Sequence, residues 1–325
     1  MYSELDKYLQ YFLKLRRAPN KNWGYAPHKP ILLLSVIQLI QNGVISSNRI
    51  FITPDLVLAF KENWKKLVVT PHIENFALPF FHLQSEPFWR LVTYNSFQNL
   101  TTSSKSIKSF KALKDNVAFA EIDRDLFLTI FNVNESSVLT HALLETYFPA
   151  TKEYYSNSLQ SHEQQQIEMQ ILNEPKEEYQ NHIQQLKNSL DVEEFEEEIF
   201  IRGGLFKRMI PKIYSNTCCI SGMSIETSLN IQMIDACHIV PFSISNDDTI
   251  PNGISLSPNL HRAFDRGLIT INHDYAVRVS PAVKEVDSVY SISQFDGCRI
   301  SLPEDTRWYP SIESLTWHNK EVFKL

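Results

Sequence analysis

The chain has 325 residues, 43% hydrophobic and 12% aromatic, a globular composition long enough for two domains. Four cysteines, two of them adjacent, cannot make a disulfide framework, so a reducing cytoplasm is expected. The longest apolar run, Ile31 to Ile40, is interrupted by Ser35 and Gln38, which excludes a membrane span, and the first residues do not read as a signal peptide. The net charge of −6 hides an uneven distribution. Residues 1–150 hold 16 Lys/Arg against 12 Asp/Glu, residues 151–198 hold 3 against 12, and residues 199–325 hold 12 against 13. The acidity sits in the middle, and the amino-terminal part is mildly basic, which suits a nucleic-acid partner.

Residues 1–17 place Leu5, Tyr8, Leu9, Phe12 and Leu13 at helical spacing, with Lys14, Arg16 and Arg17 near the carboxyl end. Ala18 to Pro27 reads as a loop, and Pro30 opens a buried helix, Ile31 to Gln41, ended by Gly43. Thr53-Pro54-Asp55 starts another, through about Lys66. Phe76 to Phe81 is an aromatic segment broken by Pro79, Phe88 to Tyr94 alternates like a strand, and residues 97–150 read mostly as helices with breaks near Asp123 and Asn134. Residues 151–198 are rich in Gln, Glu, Asn and Ser and lack Gly. With apolar positions Ile167, Met169, Ile171, Ile183, Leu186 and Leu190, they read as polar helices broken at Pro175, a connector. Its run Glu193 to Glu198 reads as a solvated face.

The carboxyl-terminal part is organised around residues 235–265. Ile234 to Val240 is a short apolar strand closed by Pro241, and Ser257-Pro258 starts a helix that Gly267 can stop. His261 and Asp265 are then one turn apart on one helical face, where a nitrogen and a carboxylate can hold one divalent ion. His238, on the strand, can take a proton from water beside that ion. Strand alternation puts Asp235 and Cys237 on one side and His238 on the other. A hard ion such as Mg²⁺ or Mn²⁺ prefers a carboxylate, so Asp235 is the expected third ligand, with Cys237 second. Arg202, Lys207, Arg208 and Lys212 lie on a preceding helix, equally suited to solvent and to phosphate. Cys218 to Gly222 reads as a turn, Leu268–Ile271 and Ala276–Val279 as a hairpin, and His273 and His318 as incidental.

His238, Asn252 fourteen residues on and His261 nine further resemble the HNH, or ββα-metal, nuclease motif over roughly residues 199–325. The resemblance implies His238 as the general base, Asn252 as the residue that holds its loop and orients it, and Asp235, His261 and Asp265 at the metal. Many members carry a structural zinc on paired Cys-x-x-Cys motifs. Here Cys219 is followed three residues on by Gly222, so no zinc knuckle is expected.

Two amino-terminal stretches, Tyr25-Ala26-Pro27-His28-Lys29-Pro30 and Leu78-Pro79-Phe80-Phe81-His82-Leu83, resemble the sulfur-binding domain of phosphorothioate-dependent restriction endonucleases, over about residues 1–150. That resemblance implies a cavity lined by His28, Lys29, Pro30, Leu78 and Pro79, with Lys21 on the DNA backbone. Leu78 stands where an aromatic is often found.

The expected architecture is therefore α+β: a mostly helical DNA-recognition domain with a small sheet over 1–150, a polar helical linker over 151–198, and a ββα-metal nuclease domain over 199–325. The expected function is a modification-dependent, Type IV-like restriction endonuclease cutting double-stranded, phosphorothioate-modified DNA with one Mg²⁺ or Mn²⁺, cytoplasmic and able to act as a homodimer. Two alternatives stay open: an HNH nuclease reading a modified base such as 5-methylcytosine, and a non-catalytic modified-DNA-binding protein.

Overall fold

A computed structural model describes residues 3–94, 107, 109–156, 162–225, 232–286 and 288–325. The helical expectation for residues 97–106 lies outside the described residues. The fold is α+β, in two compact units: residues 1–164 with 190–201, and residues 165–189 with 202–325. Residues 151–198 are thus shared between the units.

In the first unit, helix α1 (Glu4–Leu13) begins at a Ser3/Asp6 capping box. A two-residue hairpin, β1 (Pro19–Asn20) and β2 (Gly24–Tyr25), occupies the expected loop and leads into α2 (His28–Gln41). Helix α2 starts two residues before Pro30, so His28 and Lys29 lie in its first turn. It is apolar all round and buried from Lys29 to Ile40, as a central helix must be. Its polar residues are paired: Ser35 Oγ donates to Ile31 O, and Asn63 Nδ2 donates to Ser35 Oγ at 3.0 Å and Gln38 Oε1 at 3.1 Å. Strand β3 (Arg49–Ile50) precedes α3 (Pro54–Leu67), which carries Thr53 as N-cap and Pro54 in its first turn.

Helix α4 (Ala77–His82) corrects the reading of Phe76–Phe81 as a broken segment. Pro79 falls in its first turn, where a missing N–H leaves nothing unpaired. Strand β4 (Trp89–Thr93) follows, then α5 (Phe110–Asn116) and β5 (Val117–Ile122), a strand within the stretch read as helical. The three strands form an antiparallel sheet ordered β3-β5-β4. Register puts Arg90 opposite Glu121, and their side chains pair at 3.2 Å. Helices α6 (Arg124–Phe131) and α7 (Val133–Tyr147) close the layer against α1 and α2.

Helices α8 (His162–Asn173), α9 (Lys176–Ser189) and α10 (Val192–Ile213) follow. Ile167, Ile171, Tyr179 and Ile183 are buried, whereas Met169 is exposed. The acidic run is not a solvated face throughout. Glu197 and Glu198 are buried, and Lys61 Nζ lies 3.5 Å from Glu197 and 3.5 Å from Glu74. Burial, with Glu74 nearby, pushes the Glu197 carboxyl up to about 7 despite Lys61.

In the second unit, β6 (Asp235–His238) pairs antiparallel with β7 (Gly253–Leu256), preceded by a one-turn helix α11 (Phe242–Ser245). Then come α12 (Pro258–Asp265), the expected hairpin β8 (Ile269–Ile271) and β9 (Val277–Val279), and α13 (Ile312–Glu321). Two glycines are required. A Cβ on Gly253 would lie 2.3 Å from Ile210 Cδ1 and 2.8 Å from Phe206, and one on Gly267 (φ +70°) would lie 2.0 Å from Val322 O.

His318 packs around the motif, outside its polar site. Its ring stacks on Phe264 at 3.6 Å, Nδ1 lies 2.8 Å from Thr270 Oγ1, and Nε2 lies 3.1 Å from Phe264 O. It therefore holds the back of α12. Burial pushes its pKa down to about 4. The unfolded chain takes up this proton near 6.5, so the stability that neutral His318 contributes is present above pH 6.5 and is lost as pH falls towards 4. Unfolding titrations at pH 7.0 and 4.5 should differ by about 2 kcal/mol from this group, and His318→Gln should flatten that difference.

Candidate active site

The site is built on the side-chain alternation of β6. Asp235 and Cys237 face α12, and His238 faces the other way. Helix α12 is short because Ser257 and Pro258 start it and Gly267 turns the chain away. Its Leu260, Ala263 and Phe264 are buried, which leaves His261 and Asp265 on the opposite face.

His261 is flanked on both ring nitrogens. Nδ1 lies 3.2 Å from Asp235 Oδ2, and Nε2 lies 3.5 Å from Asp265 Oδ2. Cys237 Sγ donates to Asp265 Oδ1 at 3.8 Å. Cys237, His261 and Asp265 each offer one donor atom, all within 4.8 Å of one another, a spacing that suits one ion. Burial and the Asp265 carboxylate push the Cys237 thiol well up. Nitrogen, carboxylate and sulfur are all metal ligands, so the donor set fits a divalent ion. The expectation that placed Asp235 ahead of Cys237 meets a different geometry: Asp235 touches the nitrogen on the far side of the imidazole from Asp265.

His238 has its own partners. Its Nε2 lies 2.7 Å from Asp248 Oδ1, and its ring stacks on Phe206 of α10 at 3.9 Å with a 9° tilt. A carboxylate there accepts the hydrogen bond, so Nε2 is the donor. Asp248 is 1% exposed, and its Oδ2 has no hydrogen-bond partner among the described residues.

Asn252 clamps the loop between β6 and β7. Its Oδ1 accepts from Val240 N at 3.0 Å, while Nδ2 donates to Val240 O and Asp247 O, both at 2.9 Å. These bonds hold the loop that carries Asp248. Gln180 of α9 grips the same loop, with Nε2 donating to Ser245 O at 2.6 Å. Asp248, Phe206 and Gln180 were not singled out from sequence. Asp248 leaves one signal, an acidic pair Asp247-Asp248 ten residues past His238. Phe206 and Gln180 leave none. Arg202, read as solvated or phosphate-binding, is 2% exposed and lies over the Tyr179 ring.

The first unit holds a cavity of about 420 Å³. It is lined by Arg16, Arg17, His28, Lys29, Leu78, Pro79 and His82 among others. It thus brings together four expected residues, His28, Lys29, Leu78 and Pro79. Pro30 is buried in α2 outside the lining, and Lys21 is exposed outside it. Lys29 is not a free charge. Its Nζ meets Glu86 at 2.6 Å and Ser85 at 2.7 Å, and Glu86 is buried. His28 Nε2 lies 2.9 Å from Ile73 O, and burial pushes its pKa down to about 4, so it is neutral at pH 7. Of the two arginines in the lining, Arg16 is exposed and Arg17 half-buried, and neither is expected there from sequence.

The strand pair β6 and β7 leads into α12, with His238 on the first strand and His261 and Asp265 on the helix. Residues 218–272, which contain every one of those groups, match the HNH endonuclease family. Those residues form an HNH endonuclease domain. No curated protein matches it. Among solved structures, the modification-dependent TagI restriction endonuclease is similar at 18% identity and a TM-score of 0.29, over 36% of this chain and 37% of that one. The Type IV phosphorothioation-dependent restriction endonuclease ScoMcrA is similar at 11% identity and a TM-score of 0.33, over 79% of this chain and 94% of that one. Among the described residues, no helix is long and apolar enough to cross a membrane.

Asn252→Ala strips partners from Val240 N, Val240 O and Asp247 O, all in a buried loop. It should cost about 3 kcal/mol or more in denaturant unfolding. Unchanged stability would show that the clamp holds nothing.

Proposed function

We propose that this protein is a modification-dependent DNA endonuclease. Its first unit reads a phosphorothioate in the DNA backbone, and its HNH domain hydrolyses a phosphodiester nearby. The observation that carries the nuclease chemistry is the His238–Asp248 pair at 2.7 Å, on the strand next to the His261/Asp265 helix. His238 Nδ1 accepts a proton from the water whose oxygen attacks phosphorus, and the bond to the leaving oxygen breaks. Asp248 holds the Nε2 proton and steadies the imidazolium that forms, as a buried carboxylate beside a histidine does. Phe206 keeps the ring from turning by stacking on it. Asn252 keeps the Asp248 loop in register with β6. His261 and Asp265, with Cys237 or Asp235, would hold a divalent ion, which would supply charge stabilisation at the phosphate.

The recognition reading rests on the cavity's chemistry. Leu78, Pro79, Ala18 and Ala26 line it beside neutral His28 and the rim residue Arg16. Replacing oxygen by sulfur keeps the phosphate charge but weakens its hydration, so an apolar wall favours sulfur where a cation alone does not. Arg16, rather than the Glu86-bound Lys29, is the better partner for the remaining phosphate charge.

His238→Ala should lower cleavage about 10²–10⁴-fold, with DNA binding unchanged in gel-shift titrations. Near-wild-type cleavage would remove His238 from the mechanism, and cleavage absent in the wild type with every divalent ion would favour a non-catalytic binding protein.

Binding to matched oxygen and sulfur duplexes tests the recognition. Arg16→Ala should weaken both and reduce the salt slope by about one counterion. Leu78→Gln should erase the preference for sulfur and leave general binding. Equal binding of the two duplexes by the wild type would sink the sulfur reading, and tight binding of a 5-methylcytosine duplex would replace it.

A further inference from the structure

We infer that the ion centre of this nuclease takes a thiophilic, borderline divalent ion of the Zn²⁺ or Co²⁺ class rather than Mg²⁺. Cys237 is its ligand, and Asp235 orients His261. The inference rests on the nuclease reading above and goes on to say which ion serves it.

The geometry around His261 separates the two aspartates. Asp235 Oδ2 lies at Nδ1 and Asp265 Oδ2 at Nε2. The two lone-pair directions of an imidazole diverge, so one ion takes one nitrogen. Cys237 Sγ, an Asp265 oxygen and one His261 ring nitrogen lie within 4.8 Å of one another, a set that leaves Asp235 out, and Cys237 Sγ is already 3.8 Å from Asp265 Oδ1; an ion on the Asp265 side takes Nε2. Asp235 then accepts a hydrogen bond from Nδ1–H and fixes the tautomer, the role that carboxylates beside metal-bound histidines serve.

A donor set of one sulfur, one nitrogen and one carboxylate oxygen is a poor match for Mg²⁺. That ion demands near-octahedral oxygen ligation and keeps several of its waters. Cys237 is 0% exposed, so an ion bound to its sulfur must shed water on that side, which a strongly hydrated ion resists. Zn²⁺ and Co²⁺ accept thiolate, imidazole and carboxylate together. Three protein ligands on a tetrahedral ion leave one position open, as hydrolytic sites require. His261 and Asp265 are partly exposed, at 26% and 58% of their side-chain surface, so solvent reaches the donor set from their side.

The test is a Co²⁺ titration of the full chain followed by absorption. The expected result is a near-ultraviolet sulfur-to-cobalt charge-transfer band that Cys237→Ser abolishes. Stoichiometric Zn²⁺ should erase the band, and a large excess of Mg²⁺ should not. The thiols of Cys218 and Cys219 are controlled for by the same substitution. Cys237→Asp should also lose the band and shift cleavage towards Mg²⁺ and Mn²⁺, which keeps the inference testable if the serine variant folds poorly. Asp235→Asn should keep the band but weaken Co²⁺ affinity about 10–100-fold. Cobalt bound with visible d–d absorption but no sulfur band, or displacement by Mg²⁺, would overturn the inference and leave the nuclease reading standing. A chain that binds none of these ions and cuts no DNA would overturn both.

Discussion

Everything in the nuclease unit depends on the alternation of side chains along four residues of β6. A strand sends successive side chains to opposite faces. Asp235 and Cys237 therefore meet His261 and Asp265, while His238 meets Asp248 and Phe206. A register slip of one residue would exchange the two sets and leave neither site. Pairing with β7 prevents that slip, with Asp235 opposite Leu256 and His238 opposite Gly253. The Gly253 position is tight because Ile210 and Phe206 approach its backbone, and that close approach puts the Phe206 ring against His238.

The loop joining the strands carries the second half of the arrangement. Asp248 must be buried to hold one ring nitrogen firmly, and a buried carboxylate needs a partner. The loop cannot rely on a strand ladder, so its backbone groups are met by the Asn252 side chain and by Gln180 from α9. Residues 165–189, polar and connector-like in composition, are therefore part of the compact nuclease unit. This is why their apolar positions Tyr179 and Ile183 are buried.

In the first unit, the charge of Lys29 is spent inside the fold. A buried lysine needs a carboxylate, and Glu86 supplies it, with Arg16 N as a further donor to the same oxygen. The pairing fixes the cavity wall at the start of α2 and leaves that wall electrically quiet. The cavity's character then comes from apolar side chains, neutral histidines and the arginines at its rim. Such a surface discriminates by hydration more than by charge, which underlies the proposed preference for sulfur.

The sequence by itself determined the local elements and the residue types of the site. Ser257-Pro258 and Gly267 bound α12, the i, i+4 spacing joins His261 to Asp265, and period two separates Cys237 from His238. These depend on backbone geometry within a few residues, so they can be read along the chain. Tertiary structure decided the partners. Asp248 reaches His238 only because a ten-residue loop folds back, and Phe206 arrives from a helix more than thirty residues earlier. The pairing of Lys29 with Glu86 spans 57 positions, and the burial of Glu197 depends on Lys61. Ion hardness favours Asp235 over Cys237 in sequence, although alternation points both to α12. The contacts differ: Asp235 meets His261 Nδ1 while Cys237 meets Asp265, and that follows from how the helix is rotated against the strand.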